Sequence, residues 1–545
     1  MKRQKSYWIW IILILSLISR LIALGWKSLY VDEAVTVYIS QRPISTIVPL
    51  MMQLHEVHPP LYFWLINIWI GLWKCLGFLK MDYLFYIRLS SVMFGTLSVY
   101  FTYLLGRKLF DTRIALLSSF FLAISSFHIY FSQELRMYPL ILFLMLGSFY
   151  FLISLIEKPG IKPALGFVLT TGPALVTHYY SFYIIAIEIL FLLCLVIFRK
   201  RIVANNIPHR PSEKDDVVKE EKCFDCAIAG ILKNSSLIKT RAFWILGSFI
   251  ASSLFFVAWI PIFLKQAGAQ DFTLRTAPTL PQFFEIFSRL AYGFTLEHLK
   301  LGNIDLFIFA SILPIVLILA ALVDILGVGS SAGETPPLHT PPHTPPHKIG
   351  LLFMLVYLLT PLVLTFLVTI FTRFNIFEFK YFYIITPAFW MLISYTILRM
   401  KSNWVRYIAI AFFVVFNMYT WSNAQFNSYY YPQEWKKAVS VVKSSVKSGD
   451  LVAVHPSMMS IPFHFYYGNT ENFLPMDFPD DQRMKKLSDY KGLWLVTTPY
   501  HPFMRKAGLT NYLKEKYPWE RVDEIQNFRP SGVIRVEYYR LRDDG

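Results

Sequence analysis

The sequence predicts a polytopic α-helical membrane protein with interfacial helices in its outer loops and a small C-terminal α/β extracytoplasmic domain. Three observations carry that prediction. Of 545 residues, 55% are apolar and only 16% are charged, a balance outside the range of soluble domains. Apolar runs recur from Tyr7 to about Ala424, many of them long enough to cross roughly 30 Å of hydrocarbon at about 1.5 Å per residue. From about Asn427 onward the composition becomes that of a soluble domain.

The formal charge of +17 does not point to nucleic acid, because the basic residues sit mostly in short loops between apolar runs, as the positive-inside rule produces. No Walker-type loop, dinucleotide glycine pattern or nucleophile elbow occurs, so nucleotide-driven transport has no support. Of the four cysteines, Cys75 and Cys194 lie in apolar runs and Cys223 and Cys226 share a basic loop, which implies no disulfide framework. Cys223-Phe224-Asp225-Cys226 has zinc-like spacing without a second ligand pair, and His339, His343 and His347 belong to a Thr-Pro-Pro-His repeat. Neither makes a metal site by itself.

Each span follows from charge counting. Lys2, Arg3 and Lys5 precede an apolar run from Tyr7 to Trp26 that is too long for a signal peptide and lacks a small-residue cleavage site. It reads as a retained first span with a cytoplasmic N-terminus. The next inside signal is Arg107, Lys108 and Arg113, so of the two apolar segments before it, 61–79 and 83–105, only one crosses. The first, with Tyr62, Trp64 and Trp69 behind Pro60, suits an interfacial helix. Further spans then fall at about 83–105, 113–131, 138–156, 163–178, 181–198, 242–263, 305–326, 349–371, 381–398 and 404–423. With the first, that is about eleven spans, which leaves the C-terminus outside. Residues 199–241 read as a cytoplasmic, largely disordered loop, and 281–290 as an amphipathic helix in an outer loop. Residues 327–348 are low-complexity. In the last segment, 434–446 has helical periodicity, and 451–454 and 493–496 read as strands. The domain division expected is 1–426 for the membrane part and 427–545 for the outer domain.

With this orientation the unusual polar residues fall at the outer ends of spans. They are Asp32 and Glu33; His55, Glu56 and His58; Gln133, Glu134 and Arg136; His178; and Arg373, Glu378 and Lys380. Each has a structural alternative. Asp32-Glu33 also fits a helix start, where acids are stabilised; Glu134 and Arg136 fit an interfacial ion pair; His58 and His178 fit a cap and an aromatic belt; Lys380-Tyr381 fits a snorkelling lysine with a belt tyrosine.

Taken as a set, Asp32-Glu33 after the first span, His58-Pro59-Pro60-Leu61-Tyr62, Gln133-Glu134-Leu135-Arg136-Met137-Tyr138 and the Lys380-Tyr381 segment ending at Pro387 resemble the protein O-mannosyltransferase and aminoarabinose-transferase-like family. These are C-type integral-membrane glycosyltransferases. One departure is Lys380, which stands where an arginine is common and keeps the charge without the planar fork. The resemblance implies a multi-pass protein of the cell membrane, plasma or inner, that moves a sugar from a polyprenyl-phosphate donor to an acceptor at the extracytoplasmic face, usually with inversion. The acceptor stays open between protein, lipid and glycan, and membrane lipids are implied partners. It further implies Asp32 as base and Glu33 and Glu134 as orienting acids. Arg136, His178 and Lys380 would offset phosphate charge, with His58, Tyr138 and Tyr381 also at the substrate. That scheme requires no metal, since no Asp-x-Asp pair occurs in these loops, and a divalent ion stays open. The rival readings are an oligosaccharide transferase of the same superfamily and a lipid or solute transporter. Against the transporter stand the outer placement of the charges and the lack of an internal repeat.

Overall fold

The computed structural model describes residues 7–205, 224–269, 279–295, 300–301, 304–305, 310–326, 347–372, 377–427, 430, 434–468, 471–476, 490–498, 519–525 and 534–541. Arg373, Cys223, His339 and His343 lie outside the described residues. The chain divides into two compact units. One comprises Met1–Ile22, Met51–Tyr62 and Leu89–Ser422, the other Ala23–Leu50, Phe63–Arg88 and Asn423–Gly545.

In chain order the helices are α1 (Trp8–Leu21), α2 (Val31–Ser40), α3 (Ile44–Gln53), α4 (Leu61–Cys75), α5 (Tyr83–Leu109), α6 (Thr112–Ile124), α7 (Ser126–Ser132), α8 (Tyr138–Glu157), α9 (Ile161–Leu175), α10 (Ser181–Ile197) and α11 (Arg199–Asn205). There follow α12 (Phe224–Lys233), α13 (Ser235–Val257), α14 (Ile260–Ala269), α15 (Leu280–Tyr292), α16 (Ile312–Leu326), α17 (Lys348–Phe371), a 3-10 segment (Phe379–Ile385), α18 (Thr386–Arg399), α19 (Asn403–Phe426), α20 (Trp435–Ser445) and α21 (Ser460–Tyr467). Among the described residues, six helical segments are long and apolar enough to cross a membrane, and α6 with α7 makes a seventh if the pair is one span. The expected spans at 83–105, 138–156, 349–371 and 404–423 each fall on one such helix and 113–131 falls on the bent pair, whereas 242–263 runs over α13 into α14, 381–398 takes in part of the 3-10 segment with α18, and the others fall on shorter helices. Helix α4, the expected interfacial segment, has 15 residues, about 22 Å at 1.5 Å per residue. Because α1 and α9 are as short, length alone does not separate a surface helix from a spanning one.

The expectation of a largely disordered 199–241 needs correction where those residues are described. Helices α11 and α12 form there, and α13 begins at Ser235 rather than near 242. The physical reason is an apolar face: Phe224, Ile228, Ile231 and Leu232 of α12 are buried.

Within the first unit, polar contacts join the apolar helices. Ser148 of α8 lies 2.6 Å from Thr171 of α9 and donates to Glu188 of α10 at 2.6 Å, small-residue and hydroxyl packing typical of membrane bundles. Aromatic stacking closes the core, with Phe121 on Trp390 at 4.9 Å and Tyr292 on Phe413 at 5.9 Å.

The feature that positions the site is the break between α6 and α7. The sequence reads as one span, yet Ser125 is non-helical and the two pieces meet at 60°. A break inside an apolar bundle strands backbone carbonyls on one side and amides on the other. Arg20, fully buried on α1, reaches the carbonyl end of α6, donating to Ala123 O at 3.0 Å and Leu122 O at 3.4 Å. Its charge thus lies at the negative end of that helix. On the other side Asn417 of α19 accepts from the Ser126 amide at 2.9 Å and donates to Ala291 O and Phe413 O at 2.8 and 2.9 Å. Gly95 of α5 lets α7 approach closely, since a Cβ there would meet Ser132 Oγ at 2.4 Å.

The second unit holds a five-stranded sheet. After the two-residue strands β1 (Lys300–Leu301) and β2 (Ile304–Asp305) of the first unit come β3 (Asp450–His455), β4 (Phe473–Pro475), β5 (Gly492–Thr497), β6 (Trp519–Ile525) and β7 (Arg535–Leu541), ordered β4-β3-β5-β7-β6. Strand β3 runs parallel to β4 and β5, while β7 is antiparallel to β5 and β6. Alternation puts Val452, Val454, Trp494, Val496 and Val536 on one face, against Trp435 and Val439 of α20 and Phe463 of α21. The expected helix at 434–446 and strands at 451–454 and 493–496 coincide with α20, β3 and β5. Val31 of α2 joins this core, so α2 belongs with the sheet.

Replacing Asn417 with leucine removes the acceptor of the Ser126 amide at the helix break and the side-chain donor to Ala291 O, and leaves those two groups dry. A loss of about 1–3 kcal/mol is expected, read as a lower thermal unfolding midpoint in detergent; a wild-type midpoint would refute the role given to Asn417.

Candidate active site

Two short loops of the first unit meet through the backbone. The Leu61 amide, at the start of α4, donates to Val176 O at 3.1 Å, which ties the loop carrying Glu56 and His58 to the loop carrying His178. The first loop folds on itself: Glu56 Oε1 accepts from the amides of Val57 and His58 at 3.1 and 3.3 Å and pairs closely with His58 Nδ1. Burial alone would raise the Glu56 carboxyl, but the charge and hydrogen bonds of His58 and the charge of Arg136 outweigh it and hold it down at about 2. From outside, Gln266 of α14 donates to Glu56 O at 2.6 Å and takes a close hydrogen bond from the Tyr179 hydroxyl, which accepts from Trp259 at 3.0 Å. His55 is exposed, with a positive φ of 54°.

His178 is the centre of the cluster. Its ring is buried, 4.7 Å from the ring of His58, 5.0 Å from Tyr180, 5.9 Å from Tyr381 and 6.2 Å from Tyr138. Nδ1 accepts the Tyr180 amide at 3.0 Å, so the neutral ring carries its proton on Nε2. Burial first, then the charges of His58, Arg136 and Lys380, push its pKa well below the ordinary value of 6.5. His178 therefore offers an uncharged N–H at neutral pH. The expectation that it supplies positive charge gives way to a hydrogen-bond role, and Arg136 and Lys380 remain as the cations.

Those cations, far apart in the sequence, are both positioned by way of the broken helix. Gln133 follows α7, and its amide donates to Arg20 O and Ile22 O at 2.9 and 2.8 Å, which fixes the run of 133–138 before Pro139 starts α8. Arg136 and Tyr138 are buried and Glu134 is half-buried. His128 of α7 stacks on Tyr383 at 4.9 Å, and Tyr383 OH lies 3.2 Å from Ser132 Oγ. The same break thereby anchors the 3-10 segment that presents Lys380 and Tyr381. Lys380 Nζ sits 5.6 Å from the Tyr381 ring centre, and Tyr180 stacks on Tyr381 at 4.4 Å. Burial, with Tyr381 and other neighbours adding to it, raises the Tyr180 phenol well above its usual value, so it stays a hydroxyl. Two cations beside a neutral N–H and phenolic walls suit a ligand with an anionic end and an uncharged, hydroxyl-bearing body.

Asp32 and Glu33 belong to the second unit, in the first turn of α2. There they part company. Glu33 is buried, receives Arg88 through both oxygens at 2.8 and 2.7 Å, and accepts from the Tyr30 amide at 2.9 Å. Arg88 is likewise saturated, donating to Leu24 O, Lys27 O and Ser28 O. Glu33 thus holds the start of α2, while Asp32 is only half-buried. Among the described residues no group of three or more His, Cys, Asp or Glu is arranged to hold a metal ion.

Sequence reasoning passed over Arg20, Arg88, Gln266 and Tyr383. Arg20 had a signal, an arginine inside an apolar run; Arg88 had one too, at the entry of α5. Gln266 and Tyr383 had none, since their roles depend on contacts across more than a hundred residues.

Residues 57–211 match the family model described as dolichyl-phosphate-mannose-protein mannosyltransferase, a stretch that contains His58, Glu134, Arg136, Tyr138 and His178. The fold is similar to that of ArnT from Cupriavidus metallidurans bound to undecaprenyl phosphate, at 12% identity and a TM-score of 0.52 over 98% of each chain. It is also similar to the Archaeoglobus fulgidus oligosaccharyltransferase in the apo form, at 12% identity and a TM-score of 0.50 over 100% of this chain and 76% of that one. No curated protein sequence matches. At 12% identity these likenesses are of fold, and the family model matches less than a third of the chain.

Two outcomes follow from the electrostatics. Glu33→Ala strands the buried Arg88 charge and is expected to lower stability by about 3–5 kcal/mol, whereas Glu33→Leu with Arg88→Met together costs far less; equal losses in thermal unfolding would contradict the pairing. Folded His178 and Glu56 both bind protons more weakly than their ordinary values of 6.5 and 4.5. Their stabilisation is complete above pH 6.5 and is lost on acidification, that of His178 first and that of Glu56 as pH falls from 4.5 toward 2. The unfolding free energy should hold level from pH 7.5 to about 6.5 and then fall by up to about 1.4 kcal/mol per pH unit as pH drops to 5.5, and His178→Gln should flatten that slope. A slope unchanged in the variant would refute a buried neutral His178.

Proposed function

We propose that the protein transfers a single sugar from a polyprenyl-phosphate donor to an acceptor hydroxyl at the extracytoplasmic face of the cell membrane. The observation that carries this reading is the pairing of two cations, Arg136 and Lys380, with an uncharged His178 among tyrosines, which divides the cluster into a phosphate end and a sugar end. The ArnT structure similar in fold carries undecaprenyl phosphate, the chemistry of such a donor's leaving group.

In the proposed reaction Asp32 takes the proton of the acceptor hydroxyl as that oxygen bonds to the anomeric carbon. The bond from that carbon to phosphate oxygen breaks, and the electron pair leaves with the polyprenyl phosphate. Negative charge grows on the departing group, where preorganised cations stabilise the transition state more than the ground state. Arg136 and Lys380 take that part. Displacement in one step inverts the anomeric centre. Glu134 orients acceptor or sugar, and His58, held by Glu56, shapes the loop beside them. Eleven spans with a cytoplasmic N-terminus and an outer C-terminal domain from about residue 427 complete the proposed topology.

Asp32→Asn keeps the size of the side chain and removes the base. Turnover should fall by at least about a hundredfold, the usual scale for general-base loss, while binding of donor stays within about twofold. Near-normal turnover would reject Asp32 as the base.

A further inference from the structure

The proposed reaction leaves a buried donor of the cluster without a task. His178 Nδ1 is occupied by the Tyr180 amide at 3.0 Å, whereas Nε2, on the opposite edge of the ring, is buried and has no hydrogen-bond partner among the described residues. His178 is only 3% exposed, so bulk water does not offset that loss, and a dry unpaired N–H is a standing cost that a ligand atom would relieve. What surrounds the ring narrows the ligand. Tyr138, Tyr180 and Tyr381 lie within 6.2 Å of it, centre to centre, and their faces cover C–H surfaces well and bare phosphate oxygens poorly.

We propose that His178 Nε2–H donates to an oxygen of the donor's sugar, and that it is therefore a specificity-determining contact for the glycosyl group rather than for the lipid phosphate. This rests on the polyprenyl-phosphate reading above. The division of labour has a physical basis: Arg136 and Lys380 carry charge and serve the anionic end, while an uncharged donor between phenolic rings suits a neutral hydroxyl or ring oxygen. A site built to pair with a substrate oxygen discriminates strongly, because the wrong sugar leaves its buried donor unpaired.

The test uses the full-length protein in nanodiscs and a matched pair of probes, a polyprenyl-phosphate mannose and the same polyprenyl phosphate without sugar. In His178→Ala, affinity for the sugar-bearing lipid should fall about tenfold, the scale of one buried hydrogen bond, while affinity for the bare phosphate lipid stays within about twofold. His178→Gln, which can place an N–H near the Nε2 position, should recover most of the loss. Arg136→Ala should weaken both probes alike. Equal weakening of both probes by His178→Ala would overturn the assignment, as would no change in either. Absence of binding of the bare phosphate lipid to the wild type would instead sink the donor reading itself, and the inference with it.

Discussion

The first unit depends on how a broken helix is satisfied inside an apolar bundle. Between Ile124 and Ser126 the chain turns by 60°, and the groups this strands have no water to turn to. Arg20 and Asn417 replace the missing partners from two different helices. Because Gln133 then bonds back to the carbonyls of Arg20 and Ile22, the loop bearing Glu134 and Arg136 is set by the same clip. Tyr383, stacked on His128, extends it to the segment bearing Lys380.

A second constraint is the sorting of charge by burial. A buried ion survives only when paired or saturated with hydrogen bonds, and each acid and base here has met that condition differently. Glu33 and Arg88 neutralise one another and hold backbone in place. Glu56 is stabilised by two amides and His58. His178 escapes the cost by staying neutral. Arg136 and Lys380 act on it as charges, so the polar cluster has a cationic part and an uncharged part rather than a uniform field.

Much of this was legible in the sequence because spans depend on local hydrophobicity. The runs at 83–105, 138–156 and 349–371 became α5, α8 and α17, and the amphipathic segment at 281–290 became α15. The gathering of His58, Arg136, Tyr138, His178, Lys380 and Tyr381 followed from their shared level at span ends. The break at Ser125 was hard to read, since its only local signal is an N-cap serine, which accepts from the His128 amide at 3.4 Å, and the groups that satisfy the break, Arg20 and Asn417, lie far along the chain. The separation of Glu33 from Asp32 was hidden for the same reason: Arg88 lies 55 positions on. The neutral state of His178 required knowing how deeply its ring is buried and then which cations surround it.

The most direct test of glycosyl transfer is to incubate the purified protein with a panel of radiolabelled polyprenyl-phosphate sugars and membrane extract, and to follow the label. The account predicts that label leaves one donor and appears on an acceptor as unlabelled polyprenyl phosphate accumulates. Label remaining on every donor, while the same protein in vesicles carries a solute flux, would contradict it.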